Sequence, residues 1–445
     1  MEVVLREISK RMTQFVRFEF GDIYGVARSK IVPARHFREK AVEGIYLPLA
    51  DLLRDPQGTL VYGNKFTDAI GFADGLWFPD FNTFRALPWD TKTATIVIEP
   101  TYKGEPVTVY PRYIAKQQFA RLKQMNISLA SAHEHEFWIM DRQTRKPLTP
   151  DVNVCSTLRN YEAASLVEQL MSDLYNVGVD VQSYHTEHGP GQLEINYHEA
   201  FGILAADNAH VYKTAVKEIA QRNGYIASFM SKPFIQYSGS SGFICHSLWD
   251  TKTKRGLLYD PDSPDGISEL GRYWIAGLLY HAPGMCVFMA PTVNCFKRFG
   301  KNPFTPGFSI SWGIDNRTCT IRARINGEQG TYVEQRMAAS ACNPYLSLAA
   351  IIAAGIDGIQ RKLTLPMKVT GNSYAVSNLP QLPTTMGEAM DAFNKDNIIK
   401  DAFGEDFCDA FLALKMHEIR SERDAKTNMT NINNEWDRKM FFEYM

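Results

Sequence analysis

The sequence predicts an α+β protein built from two units. Stretches that alternate apolar and polar residues, as half-buried strands do, occur at 15–26 and 93–99. Stretches with apolar residues at helical spacing lie between and after them and dominate the chain beyond residue 380. Pro111 suits the first turn of a helix, so a boundary falls just before it. We therefore expect one domain at 1–105 and a second at 106–445.

The elements follow in order along the chain. Residues 14–32 predict two strands, with turns at Gly21-Asp22 and near Gly25, and residues 35–42 predict a short helix. Residues 44–49 are a loop or a strand end. The aromatic-rich segment 436–445 is typical of core or of an oligomer contact. Later helices are predicted at 112–125, 161–177, 206–224, 270–285 and 343–359, the last almost wholly apolar and so deeply buried.

Bulk composition excludes several classes of protein. Lysine plus arginine (48) balance aspartate plus glutamate (49), which gives no reason to expect nucleic acid or an anionic membrane as partner. No apolar run approaches the length of a membrane span, and the first residues do not have a signal-peptide pattern. Seven scattered cysteines without a Cys-x-x-Cys pair favour a reducing cytosol, so we expect a cytoplasmic protein.

The run 131–140 places two carboxylates in a segment that is otherwise suited to a buried strand. Glu134 and Glu136 are two residues apart, so they share one face of that strand. Buried neighbouring carboxylates repel each other and are costly to desolvate. A cation, an arginine cluster or raised pKa values must compensate.

Further segments also place acidic residues in strand-like runs. A Gly-Pro-Gly turn separates Glu187 from a strand carrying Glu194, and Glu334 is two residues from Arg336. Oxygen cages of this kind hold Mg²⁺ or Mn²⁺, and arginines hold carboxylates or phosphates. The pattern predicts a phosphoryl-transfer or acyl-phosphate site, while the alternative is a set of unrelated buried ion pairs. The five carboxylates are Glu134, Glu136, Glu187, Glu194 and Glu334.

These motifs together resemble the glutamine synthetase family of class I type, and within it the lens-expressed branch. The resemblance spans nearly the whole chain and includes Glu134-His-Glu136-Phe, Asn316-Arg317 and Glu334-Gln-Arg336. Its other landmarks are 18–25, 79–89, 187–194, 291–298, 343–346 and 354–358. It implies the glutamine synthetase fold: an N-terminal β-grasp-like domain and a large catalytic-type domain with a curved antiparallel sheet and helices. It also implies a dodecamer of two stacked hexameric rings.

The resemblance implies that enzymes of the family bind two divalent ions between a nucleotide and glutamate, forming γ-glutamyl phosphate that an amine then attacks. The first ion's ligands would be Glu136, Glu187 and Glu194, with Mg²⁺ or Mn²⁺ expected there. The second ion's ligands would be Glu134, Glu334 and a histidine. The resemblance further assigns substrate binding to Gly239, Arg298, Arg317 and Arg336, and nucleotide binding to Ser247, Trp249 and Arg322.

Several family positions depart from the pattern. Phe243 falls at the histidine of the second ion, although a one-residue gap brings His246 near. Phenylalanine cannot ligate a metal, so the second ion should bind weakly or not at all. Phe304 replaces the flap glutamate, and Gln329 and Tyr332 replace a lysine and an arginine that serve the nucleotide phosphates. ATP binding is therefore expected to be impaired. Residues 47–49 (Leu-Pro-Leu) replace the ammonium-site aspartate loop and resemble the γ-glutamyl-polyamine branch.

Two functions follow from these departures. The favoured one is a non-catalytic oligomeric protein, in which Arg298 and Arg317 are vestiges of catalysis and no residue is assigned a catalytic role. The lens-branch resemblance then implies a structural or chaperone-like role in lens fibre cells, with intermediate filament proteins as partners. The alternative is an ATP-dependent γ-glutamyl-amine ligase that uses an amine other than ammonia.

Two further motifs are less informative. His133 and His135 have the His-x-His spacing of zinc ligands, but by strand parity they point away from the glutamates. We expect them to face core or solvent. Cys245 has no obvious base near it in sequence, so a small buried residue is the expected role.

Overall fold

Two β-sheets flanked by helices form the computed structural model, which describes residues 1–299, 307–428 and 434–445. The α+β class predicted from the sequence is confirmed. The N-terminal elements are α1 Glu2–Lys10, β1 Phe15–Gly21, β2 Ala27–Pro33, α2 Phe37–Glu43, β3 Ile45–Pro48, α3 Lys65–Ile70, β4 Asp74–Pro79, β5 Arg85–Ala86, β6 Thr93–Tyr102 and β7 Glu105–Pro106.

The larger set of elements begins where Pro111 opens a helix, as predicted. It comprises α4 Pro111–Gln124, β8 Ile127–Asp141, α5 Thr157–Asn176, β9 Val181–Thr186, β10 Gln192–Tyr197, β11 Ala200–Phe201, α6 Ile203–Arg222, β12 Tyr225–Ser228, β13 Gly242–Asp250, α7 Glu269–Tyr280, α8 Ala282–Met289, β14 Trp312–Ile314, β15 Ile321–Arg324, α9 Gly327–Gly330, β16 Tyr332–Gln335, α10 Pro344–Arg361, α11 Met386–Lys395, α12 Asn397–Phe403, α13 Glu405–Asn428 and α14 Glu435–Phe441.

The first sheet has the strand order β2-β1-β6-β4-β3, with β5 and β7 paired to β6. Its strands are antiparallel except for the β1–β6 pair, which is parallel. The second sheet has the order β14-β15-β16-β13-β8-β10-β9, with β11 and β12 paired to β8. It is antiparallel except for the parallel β14–β15 pair at one edge. The domain boundary near residue 105 stays a prediction, because one continuous apolar core contains residues of both sheets.

Strand β8 is the centre of the second sheet. Its 15 residues are almost all buried, since β13 and β10 lie on either side of it and other elements cover both faces. This position shields most of the strand from water, so carboxylates placed on β8 are largely desolvated. The chemistry of the site therefore depends on which side chains the neighbouring strands bring beside it.

The helix predicted over 270–285 is in fact two helices. Helix α7 ends at Tyr280 and α8 begins at Ala282, with His281 between them. Pro283 lies in the first turn of α8, where its missing N–H costs nothing, whereas inside a continuous helix it would remove a hydrogen bond. Periodicity alone missed this break because apolar residues continue through it.

The buried helix and the C-terminal segment are as predicted. Helix α10 is buried along nearly its whole length, and the Asn343 side chain caps it by accepting from Tyr345 N–H at 3.0 Å. In the C-terminal segment, Phe441 is fully buried and Met445 nearly so. Of the two roles left open for that segment, the structure therefore assigns it to the core.

Candidate functional site

Cross-strand register builds the candidate site across four strands of the second sheet. Phe243 on β13 lies directly opposite Glu134 on β8. Glu194 on β10 lies opposite Glu136 on the other side of β8, and His185 on β9 lies opposite Glu194. Residues directly opposite each other on one face have Cβ atoms about 4.5–5.5 Å apart. The register thus places these side chains in adjoining rows.

The rows line a cavity of about 350 Å³. It contains four of the five carboxylates that the sequence singled out, together with Phe243 and several arginines. The expectation that these segments converge on one cavity is met for those four. The lining residues are Glu134, Glu136, His185, Glu187, His188, Glu194, Asn196, Phe243, Arg317, Arg322, Arg324, Tyr332 and Arg336.

One side of the cavity is formed by His185, Glu187 and Glu194. The imidazole lies between the two carboxylates, with Nδ1 3.3 Å from Glu187 Oε1 and Nε2 3.4 Å from Glu194 Oε1. The hydrogen bond with Glu194, opposed by burial, raises the pKa of His185 to about 9. One donor atom from each residue lies within 4.8 Å of the others, close enough to share one metal ion. Sequence motifs did not identify His185; the pairing of β9 with β10 reveals it.

Glu136 lies in the same cavity but points to a different partner. Its Oε2 accepts a hydrogen bond from Gln192 Nε2 at 2.9 Å. Burial, and then the charges of Glu187 and Glu194, raise the pKa of Glu136 well above its usual range. Burial, and then the charge of Glu194, also raise the pKa of Glu187, to about 7. Among the described residues, no salt bridge joins either of these carboxyls to an arginine, although Arg298 and Arg317 are near enough to lower their pKa values in part.

Glu134 borders the opposite side of the cavity. Burial, then the charges of Glu334 and Glu194, raise its pKa to about 7. The Cys245 thiol donates to Glu134 Oε1 at 3.4 Å, and burial beside the two carboxylates raises the pKa of that thiol well above its usual range. Cys245 is therefore held as a neutral thiol, which agrees with the expectation that it is not a nucleophile.

The second side of the cavity is formed by Phe243 and Arg336, and Arg336 pairs with Glu334, which does not itself line the cavity. The Arg336 guanidinium carbon lies 4.1 Å from the centroid of the Phe243 ring, a cation–π contact. Arg336 Nη1 also donates to Glu334 Oε1, and Arg322 Nη1 donates to Glu334 Oε2 at 2.8 Å. Glu334 is 1% exposed and both of its oxygens are engaged by guanidinium groups. Of the second set of metal ligands that the family resemblance implies, Glu334 is therefore already paired with protein cations.

His246 does not reach this side of the cavity. Strand β13 pairs with β8 without a register shift from Gly242 to Asp250, so His246 lies on the face opposite Phe243. Its Nε2 accepts from Trp274 Nε1 at 3.0 Å in the core. The alternative alignment, which brought His246 to the second ion, is wrong for this reason.

Of the remaining predicted substrate-binding residues, Arg298 and Gly239 lie outside the cavity lining and Arg317 lies in it. Arg298 is 1% exposed and donates to Ser241 Oγ at 2.9 Å, and Gly239 packs against its stem, where a Cβ would lie 2.6 Å from Arg298 Cγ. Burial lowers the pKa of Arg298 to about 10. Arg317 lines the cavity and is exposed. Phe304 lies outside the described residues.

A neighbouring cavity of about 320 Å³ shares Glu134, Asn196 and Tyr332 with the first. Ser247 and Gln329 also line it, while Trp249 donates through Nε1 to Ser247 Oγ at 2.8 Å. Arg322 lies in the first cavity instead. The nucleotide-binding assignment of Ser247, Trp249 and Arg322 stays a prediction.

His133 and His135 lie on the other face of β8, as parity predicts. Their rings stack at 5.0 Å, and His135 also stacks on Tyr212. Burial lowers the pKa of His133 to about 3 and that of His135 well below its usual range. Both are therefore neutral core histidines.

The protein-family model described as "Glutamine synthetase, catalytic domain" matches residues 108–434 of this chain. Lengsin from Rattus norvegicus is 34% identical over 436 residues, covering 96% of this chain and 77% of that protein. Glutamate–isopropylamine ligase from Pseudomonas sp. is 30% identical, covering 95% of each chain. A solved GmaS/ADP complex superposes with a TM-score of 0.83 at 26% identity, covering 99% of each chain.

Proposed function

The chain belongs to the glutamine synthetase family, and we propose that it is a member without ligase activity that acts as a self-associating scaffold. The family assignment, the similarity to lengsin and the fold expected from them are confirmed by the matching domain model, the relatives and the superposed structure. If the chain is active, the same comparisons indicate ATP-dependent ligase chemistry of the glutamine synthetase type.

A single contact carries the proposal of inactivity: the Arg336 guanidinium lies 4.1 Å over the Phe243 ring. The resemblance implies that the family's second ion needs Glu134, Glu334 and a histidine. Phe243 offers no lone pair, and the charge of Glu334 is already balanced by Arg322 and Arg336. A protein cation thus fills the place where the family's chemistry needs a metal cation.

Electrostatics oppose a second divalent ion there. Two unit charges 4 Å apart interact with about 4 kcal/mol at the effective dielectric of a protein surface. A divalent ion beside Glu334 would meet two guanidinium groups, so repulsion would cancel much of the attraction to Glu134 and Glu334. The donor set of the second site therefore does not fit the ion that the family implies.

Other departures from the family pattern also disfavour ligase activity. Gln329 and Tyr332 line the neighbouring cavity without the positive charges that would serve nucleotide phosphates. Removing one preorganised charge or donor costs roughly 3–4 kcal/mol of transition-state stabilisation. Together with Phe243, these substitutions leave little acceleration for the family reaction, even where their effects are not additive.

The test is an assay of phosphate release from ATP with Mg²⁺ or Mn²⁺, glutamate and a panel of amines. We expect the rate to equal that of the Glu194→Gln variant, which controls for contaminating host enzymes. The Pseudomonas ligase with isopropylamine serves as the positive control. Amine-dependent phosphate release above the Glu194→Gln rate would contradict the proposal.

A second candidate function is an ATP-dependent γ-glutamyl-amine ligase that uses an amine other than ammonia. The 30% identity with glutamate–isopropylamine ligase across 95% of both chains favours it, as does the superposition on the ADP complex of GmaS. Formation of a γ-glutamyl amide from glutamate and isopropylamine, detected by mass spectrometry, would identify this function.

Wider properties stay predictions that rest on the family resemblance. We expect a dodecamer of two hexameric rings, a cytoplasmic location and, by the lengsin resemblance, a structural or chaperone-like role with intermediate filament proteins in lens fibre cells. Within the described residues, no helix is both long and apolar enough to cross a membrane. Light scattering coupled to size-exclusion chromatography will measure the subunit number.

A further inference from the structure

A cavity of about 420 Å³ lies between helices α7 and α8, the start of β14 and residues 363–369 and 379–380. No described residue lines both this cavity and the carboxylate cavity. We propose that it binds a free medium-chain fatty acid, with the alkyl chain inside and the carboxylate at a basic rim formed by Arg361, Lys362 and Lys368. The site does not depend on whether the chain has ligase activity.

The lining of the cavity is apolar almost throughout. Ala276 and Leu279 of α7 and Trp312 of β14 contribute to it, and apart from Ser311 and Thr364 every described lining residue is apolar or aromatic. Pockets that hold small molecules are mainly apolar and have volumes of about 300–1,000 Å³. Buried water needs two to four polar partners, which this lining does not supply. An alkyl chain therefore fits the cavity better than water does.

Hydrogen bonds hold the walls of the cavity in place. Trp312 Nε1 donates to the Pro366 carbonyl oxygen at 2.7 Å, and the Val369 N–H donates to the Trp312 carbonyl oxygen at 2.9 Å. The Ile310 N–H donates to the Pro380 carbonyl oxygen at 2.7 Å. Collapse of the cavity would break these bonds. The cavity is therefore formed before a ligand enters, and binding costs little ordering of the chain.

The apolar surface continues to the mouth of the cavity. Met367 and Tyr280 both line the cavity, yet they are 94% and 60% exposed. A large apolar side chain beside an apolar cavity extends the surface that a ligand can cover, and such continuous patches mark binding sites. An alkyl chain that enters from solvent therefore meets these two side chains first.

Basic side chains flank this mouth. The Arg361 guanidinium carbon lies 4.7 Å from the centroid of the Tyr280 ring, and Arg361 remains 45% exposed although it pairs with Asp357 at 3.0 Å. Lys362 and Lys368 are exposed and lie next to lining residues in the sequence. The segment 361–372 contains no acidic residue. The rim is thus complementary in charge to a carboxylate.

Neighbouring carboxylates do not balance the whole of this charge. Asp265 lies 3.4 Å from Lys368 Nζ, but it also pairs with Arg272, so one carboxylate serves two cations. Lys362 makes no ion pair within the part of the chain that the structure describes. The rim therefore keeps a surplus of positive charge, which a ligand carboxylate can balance. An apolar cavity with a cationic rim fits an anionic amphiphile better than a neutral hydrocarbon.

The experiment uses the full-length protein and sodium decanoate below its micelle concentration. Calorimetric titration gives the affinity and the number of molecules bound per subunit. Octanoate tests the contribution of the alkyl chain, and decanol tests that of the carboxylate. Thr364→Trp fills the cavity from its exposed edge, with Thr370→Trp, an exposed position outside the lining, as its control. Lys362→Gln removes a rim charge, with the exposed Lys123→Gln as its control.

We expect one decanoate per subunit, bound about four-fold more tightly for each CH₂ that it has beyond octanoate. Decanol should bind about 10-fold more weakly than decanoate, because the charged hydrogen bonds at the rim are lost. Thr364→Trp should lose about 10-fold in decanoate affinity through overpacking. Lys362→Gln should lose about 3-fold, as expected for an exposed ion pair, and both controls should match the parent.

Three results would overturn the proposal. The first is that the parent protein binds no decanoate, or that Thr364→Trp binds it as tightly as the parent. The second is equal affinity for decanol and decanoate, because the rim charge would then have no part in binding. The third is sedimentation with anionic phosphatidylglycerol vesicles in the absence of decanoate binding, which would assign the rim to a membrane surface.

Discussion

The two sides of the cavity handle buried carboxylates differently. The histidine side (His185, Glu187 and Glu194) has more negative charge than protein cations balance, and burial raises the pKa of Glu187 to about 7. On the arginine side (Phe243, Glu334 and Arg336), guanidinium groups engage both oxygens of Glu334. Glu134 and Glu136 lie between the two sides on β8.

Under the proposed function, Phe243 accounts for the difference between the two sides. On the arginine side, the ring at 243 gives the Arg336 guanidinium a surface to stack on, and that guanidinium balances the charge of Glu334. On the histidine side, the ion pairs that Glu187 and Glu194 make among the described residues are with the His185 imidazole and not with a guanidinium group. We therefore expect the two sides to respond differently to mutation, to pH and to metals.

The largest effect is expected from breaking the arginine side with Arg336→Ala. Arg336 is 3% exposed, and its loss leaves the buried Glu334 with Arg322 as its remaining partner. Removing one member of a buried pair typically costs 3–5 kcal/mol, and we expect about 3 kcal/mol because Arg322 remains. Urea unfolding at fixed subunit concentration measures the loss.

A matched control removes an arginine from an exposed pair. Arg255 pairs with Glu328 at 2.7 Å with 70% of its side chain exposed, so Arg255→Ala should be close to neutral. If Arg336→Ala were as mild as this control, the arginine side would not be a stabilising cluster.

An effect of similar size that depends on pH is expected from Glu134→Gln. The folded protein raises the pKa of Glu134 to about 7, so between about pH 4.5 and 7 it holds a proton that the unfolded chain has lost. Stability is therefore lost as pH rises through this range, by about 3 kcal/mol for this group at one pKa unit per 1.36 kcal/mol. The glutamine variant should be more stable than the parent at pH 8 and nearly equal to it at pH 4.5.

Unfolding midpoints in urea with EDTA, measured at pH 4.5 and 8, test this prediction. Glu105→Gln, a change at an exposed position, should leave the pH dependence of the parent unaltered. An equal pH slope in the parent and in Glu134→Gln would show that this carboxyl titrates normally.

The smallest effect is expected from Phe243→His, which restores the residue type of the family's second site. It removes the cation–π contact with Arg336, at a cost of about 1 kcal/mol in the free energy of unfolding. Because Arg336 and Arg322 still engage Glu334, the variant should bind no additional ion. Metal analysis after dialysis measures this, and one extra ion per subunit would mean that Phe243 alone closes the second site.

Much of the fold and part of the site were predictable from the sequence. Strand parity placed Glu134 and Glu136 on one face and His133 and His135 on the other, because alternation is a local property of a strand. The apolar run after Asn343 predicted a buried helix for a similar reason. Phe243 was placed beside Glu134 by motif alignment, and the register of β13 on β8 agrees.

What sequence could not predict depends on pairing between distant strands. His185 becomes a candidate ligand only because β9 pairs with β10 in the register that sets it opposite Glu194. The contact between Phe243 and Arg336 likewise requires β16 to lie beside β13. The division of the five carboxylates into two unlike groups follows from these neighbours, and no local pattern encodes them.

The number of divalent ions bound per subunit distinguishes one metal site in the cavity from two. The protein is loaded with Zn²⁺ or Mn²⁺ and dialysed against buffer that contains only a trace of the same metal. Elemental analysis then gives the amount of bound metal, which is divided by the subunit concentration. We expect one ion per subunit, lost in Glu194→Gln and retained in Phe243→His. Two ions per subunit in the parent protein would contradict it, because the arginine side would then hold a metal despite its own cations.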